Sequence, residues 1–171
     1  MRIARTLGST VAMVAALCSL LASPTRAVGS GRWADSMLRI GLSYPTSWKI
    51  VPEHGARLKL LSSDAAGEFE VLALPAQLAP DALARQAEAA LAGLHCATGV
   101  VRTSGPVGQL KVAGFTAAGI CTGGDLGWRL AITAFDNNGH VVLVRGWLFH
   151  ARRRDATDLA AIAASLAPVG Q

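Results

Sequence analysis

The chain has 171 residues, 51% of them hydrophobic and 16% charged, a balance that excludes disorder driven by charge. Less an N-terminal leader, the length fits one domain and leaves no room for a multi-domain assembly. The formal charge of +5 overstates the basic character, because Arg2, Arg5 and Arg26 fall in the leader and leave 13 basic residues against 11 acidic ones; no nucleic-acid partner is expected from that balance.

The leader, residues 1–27, reads as a secretory signal. Arg2 and Arg5 supply the positive start, and the charge-free run Val11 to Ala22 is shorter than the roughly 20 residues that span a bilayer. Small residues place cleavage after Ala27 or after Ala22. A lipoprotein reading at Cys18 is disfavoured by Leu17 just before it. No later segment is apolar enough for a transmembrane span, so the expected location is the periplasm or the medium.

Residues 28–37 are small and polar and are expected to form a flexible lead-in to a single domain over 38–168. Residues 38–44 alternate into a strand that Pro45 interrupts, and Trp48 to Val51 continue it. Arg57 to Leu61 and Glu68 to Leu74 form a plausible antiparallel pair across a turn-rich link. Pro80 to Leu94 is the clearest helix: Pro80 and Asp81 suit a first turn, and Leu83, Ala87, Leu91 and Leu94 recur on one face. Four strands follow, over 99–103, 109–121 (bent near Gly114), 127–135 and 140–149. Between the last two, Asp136-Asn137-Asn138-Gly139 is a strong hairpin signal, because Asn-Gly tolerates positive φ at both central positions. Along 140–149, Val142, Val144 and Leu148 face one way, and Val141, Leu143, Trp147 and Phe149 the other. A strand apolar on both faces must be covered on both. The last helix starts near Asp155, read as its N-cap, with Asp158 in the first turn and Leu159, Ile162 and Leu166 as its stripe. The expected fold is α+β, a three-layer α/β/α sandwich around a mainly antiparallel sheet.

Cys96 and Cys121 are the two cysteines left after leader removal. In an oxidising compartment they pair as one disulfide; the alternative, a redox or metal thiol pair, lacks CxxC spacing.

The opening Gly41-Leu42-Ser43-Tyr44-Pro45-Thr46-Ser47-Trp48 resembles the aromatic-Pro-x-x-Trp start of the PsbP-like/Mog1-like superfamily. The central helix and the closing Ile162-Ala163-Ala164-Ser165-Leu166 are similar to that family's elements as well. The resemblance covers residues 38–168 and implies a binding or accessory scaffold without chemistry of its own, with Trp48 in the core. These motifs concern packing, and they leave the partner open.

Candidates for chemistry are few. His54, His95, His140 and His150 include no H-x-x-x-H pair, so no metal site is expected. Glu68 and Glu70 alternate onto one strand face, where neighbouring carboxylates can form an acid/base pair or simply the wet side of an edge strand. Gly123 to Gly127 lacks the G-K-[ST] ending of a phosphate loop and reads as a turn. Ser165 is no nucleophile elbow and reads as a small packing residue. Trp33 is a further candidate for ligand stacking. Trp128, Arg129, Arg145 and Trp147 suggest a mixed aromatic and basic interaction face on neighbouring strands, and Arg152, Arg153 and Arg154 a site for an acidic partner, with a solvated connector or an anionic membrane surface as the alternatives. The expectation is a non-enzymatic secreted or periplasmic domain that binds an envelope protein or a small ligand, as a chaperone, inhibitor or immunity-like protein would, with no cofactor. The rival class is a small secreted hydrolase built on dispersed acids and histidines.

Overall fold

The computed structural model describes residues 31–169, except 97, 122–127 and 150–152 and the side chains of Trp128 and Arg153. The leader, the Gly123–Gly127 turn, His150 and Arg152 therefore lie outside the described residues. Among the described residues ten strands and two helices follow in chain order: β1 Gly31–Asp35, β2 Ile40–Tyr44, β3 Trp48–Ile50, β4 Leu58–Ser62, β5 Gly67–Leu74, α1 Pro80–Gly93, β6 Thr98–Pro106, β7 Ala113–Cys121, β8 Trp128–Asn137, β9 His140–Leu148, α2 Arg153–Ala164 and β10 Ala167–Pro168. The fold is α+β and dominated by antiparallel sheet. Seven strands run in the order β3-β4-β5-β9-β8-β7-β6, and β1-β2-β10 form a smaller second sheet. Among the described residues no helix is long and apolar enough to cross a membrane.

The two-sided pattern of the last hairpin has a direct physical outcome. Val142, Val144 and Leu148 join a core cluster with Phe69, Val71, the α2 residues Leu159 and Ile162, and Leu166 just beyond that helix. Their neighbours Val141 and Leu143 join a second cluster with Leu130, Ile132 and the α1 residues Leu83, Ala87 and Leu91. Alternate residues of one strand thus feed two cores. The hairpin turn itself has positive φ at Asn138 (50°) and Gly139 (79°), and Asn137 faces His140 across it, as a two-residue primed turn requires.

The resemblance motif is a packing device. Trp48 N–H closes a turn onto the Pro45 carbonyl at 2.9 Å, and its buried indole donates to Asp158 Oδ2 of α2 at 3.1 Å. Ser165 does more than fill space. Its hydroxyl accepts from the Ser43 N–H at 2.9 Å and lies 2.7 Å from the Ile162 carbonyl, which ties the end of α2 to β2.

Two expectations need correction. Residues 31–35 are not a lead-in but strand β1, paired with β2; Trp33 packs against the core, an anchor that the small and polar residues around it conceal. Asp155 is not the N-cap, because α2 begins at Arg153. The acid instead sits in the first turn, where the helix dipole favours it equally.

Candidate functional site

The helices do not cover the large sheet evenly. α1 packs on β7 and β8, whereas α2 packs on β5 and β9 and on β2 of the small sheet. Among the described residues each helix therefore leaves part of its own side of the sheet bare.

On the α1 side, the ground over β4, β5 and β9 is charged. Register pairs Glu70 with both Lys59 and Arg145, and Glu68 with Trp147. Lys59 Nζ lies 3.1 Å from Glu53, 3.3 Å from Glu68 and 3.4 Å from Glu70, and Arg145 Nη2 lies 2.5 Å from Glu70 Oε2. Burial pushes the Glu68 carboxyl above its ordinary range; Lys59 draws it back only in part, and Glu70 adds repulsion. Burial alone would lower the Lys59 ammonium, but the hydrogen bond to Glu53 and the charges of Glu68 and Glu70 outweigh it and hold the group raised. The paired carboxylates are thus engaged by cations. His54 and His95 are exposed elsewhere, and His140 opens β9 at the far hairpin. Among the described residues no cluster suits a metal ion.

On the α2 side, the bare ground over β6, β7 and β8 is an apolar groove. Its floor consists of cross-strand rows fixed by register. One row is Thr103, Thr116, Thr133 and Val144; the next is Ala118, Ala131 and Gly146; the third is Ile120, Arg129 and Leu148. Between Val101 of β6 and Phe69 of β5, which close this middle row at its two ends, it carries no side chain larger than a methyl, so the sheet surface dips there. Ala156, Leu159, Ala160 and Ala163 of α2 form the wall. The hollow has a volume of about 110 Å³ and adjoins a second of about 290 Å³ between β6 and the end of α2, with Thr116, Thr133, Val144 and Ala163 lining both. Thr116 and Thr133 hydroxyls bond one another at 2.7 Å, which leaves few free polar groups on the floor besides the Thr103 hydroxyl. Among the described residues Arg129 is the one titratable residue in the lining of either hollow.

The expected Trp/Arg face is divided by the same register. Trp147 sits opposite Leu130 and Arg145 opposite Ile132, on the α1 side, but Arg129 sits opposite Leu148, on the α2 side. β8 and β9 are neighbours as expected, but their register sets odd-numbered residues of β8 beside even-numbered residues of β9, so Arg129 and Arg145 lie on opposite faces of the sheet. Trp147 stacks on Phe149 with centroids 6.1 Å apart. The side chains of Trp128 and Arg153, and all of Arg152, lie outside the described residues; Arg154 is exposed in the first turn of α2. Cys96 and Cys121 have their Sγ atoms at bonding distance, a disulfide-compatible pair that ties the segment after α1 to the end of β7. Gly119 permits this approach, since a Cβ there would overlap the Cys96 carbonyl oxygen.

Neither a family model nor a curated protein matches the chain. Solved structures do. A crystal structure from Bacteroides thetaiotaomicron superposes on it with a TM-score of 0.57 at 11% identity, over 82% of this chain and 48% of that one. The chain thus spans about half the length of that protein. LpqN of Mycobacterium tuberculosis, described as involved in cell envelope biogenesis, gives a TM-score of 0.53 at 14% identity, over 85% of this chain and 90% of its own. At these identities the likeness is one of fold.

Proposed function

We propose that this protein is a non-catalytic accessory domain of the extracytoplasmic space, a three-layer α/β/α sandwich of PsbP/Mog1 type, exported by a cleaved leader and binding an apolar ligand or partner segment in the groove between α2 and β6–β8. The observation that carries the reading is the small-residue trough Ala118–Ala131–Gly146 beneath the alanine wall of α2. A concave apolar surface with one charged group at its edge suits binding. Among the described residues it offers no nucleophile–base pair of the sort that catalysis requires. The disulfide-compatible cysteines fit an oxidising compartment, and the envelope role described for LpqN fits the same placement.

The competing hydrolase reading would centre on Glu68 and Glu70, which the ion pairs with Lys59 and Arg145 already occupy. Titration with the neutral probe N-phenyl-1-naphthylamine separates the two. The groove reading expects a fluorescence rise that Ala160→Leu abolishes while the thermal midpoint is kept. Probe binding indifferent to Ala160→Leu, or ester or glycoside hydrolysis that disappears in Glu70→Gln, would overturn it.

A further inference from the structure

We infer that the groove takes the alkyl chain of a free single-chain carboxylate, with the carboxylate held by Arg129; this rests on the binding reading above and names its ligand class. Arg129 is half-buried at the edge of the trough, between Ile120 and Leu148 in its cross-strand row. Among the described residues no carboxylate pairs with it, whereas Arg85, Arg102 and Arg145 each have an acidic partner. A guanidinium partly withdrawn from water beside apolar surface is stabilised by an anion, and a carboxylate can meet it in bidentate fashion.

The rest of the ligand is set by what the groove lacks. The backbone of its floor is paired within the sheet between β7, β8 and β9, and the facing backbone of α2 is paired within its helix. Thr116 and Thr133 bond one another, which leaves one O–H of that pair and the Thr103 hydroxyl as the side-chain donors of the floor, too few for the successive amides of a peptide. A peptide segment lying there would bury amides without partners, at about 1–3 kcal/mol each. An alkyl chain has no such groups. The wall from Ala156 to Ala163 of α2 runs about 10 Å at the helical rise of 1.5 Å per residue, a length that matches a medium chain better than a compact ring.

Calorimetric titration of the purified mature protein with decanoate and with 1-decanol tests this. Decanoate is expected to bind about tenfold tighter than the alcohol, the worth of one charge-assisted contact. Arg129→Gln should equalise the two, and Ala131→Leu should abolish both; Ala160→Leu, which fills the groove from the helix side, serves should Ala131→Leu fail to fold. Equal affinity of wild type for acid and alcohol, both lost in the blocked variants, overturns the carboxylate assignment and leaves the groove standing. Binding that survives both blocking variants overturns the groove as well. An apolar peptide with a free C-terminal carboxylate that outcompetes decanoate would overturn the alkyl-chain assignment in favour of a protein ligand.

Discussion

Val141 and Val142 are adjacent in sequence, fully buried, and belong to different cores. Truncating either to alanine removes two methyl equivalents, about 1.6 kcal/mol by transfer, and a residual cavity raises the cost to about 2.5 kcal/mol. Adjacent residues usually couple. Here the side chains leave the strand in opposite directions and share no partners, so Val141→Ala and Val142→Ala should sum to about 5 kcal/mol in the double variant, within about 0.5 kcal/mol. Urea unfolding of the four proteins, with m-values compared to exclude a change in the denatured state, makes the measurement. A cost below about 0.5 kcal/mol for either single change is what a solvated face would give. That result would refute the two-core account.

Three further outcomes follow from named contacts. Ser165→Ala should cost about 1–2 kcal/mol in urea unfolding, because the Ser43 N–H loses its acceptor; Ser43→Ala, whose backbone alone is used, should change stability by less than about 0.5 kcal/mol, and equal effects would contradict the staple. For Glu68 the folded-state pKa lies above its ordinary 4.5. Its contribution to stability is therefore full below 4.5 and is lost as pH rises through the higher folded value. The stability of wild type relative to Glu68→Gln should fall across that window, and a pH-independent difference would show that the carboxyl is not desolvated. Replacing both Cys96 and Cys121 by serine should lower stability by about 3 kcal/mol, the chain-entropy cost of a loop closed across 25 residues; an unchanged unfolding midpoint would mean that the bond does not form in the purified protein.

Much of this architecture was legible where local chemistry is decisive. Asn138-Gly139 dictates its turn because few other pairs accept positive φ twice. Leu83, Ala87 and Leu91 mark the buried side of α1 by spacing alone. The alternation at 141–148 announces two cores before any partner is known. What sequence does not carry is register. Arg129 and Arg145 look equivalent on paper and separate only when Arg129 is seen to face Leu148 and Arg145 to face Ile132. The groove is invisible for the same reason: Ala118, Ala131 and Gly146 are unremarkable singly and become a trough only when three strands align them. One signal was available, the alanines at 156, 160 and 163, which form a small-residue stripe along α2 beside its buried Leu159 and Ile162. Strand β1 escaped notice because one tryptophan among small and polar residues does not look like a strand, and only pairing with β2 makes it one.

The most direct test of a binding groove is an isotope-filtered nuclear Overhauser experiment on methyl-labelled protein with decanoate bound. The ligand's chain protons should show cross-peaks to the Ala118, Ala131 and Ala160 methyls and none to Leu61 or Leu72 on the other side of the sheet. Cross-peaks to Leu61 and Leu72, with the three alanine methyls silent, would place the binding surface over the Lys59–Glu70 cluster and contradict the account.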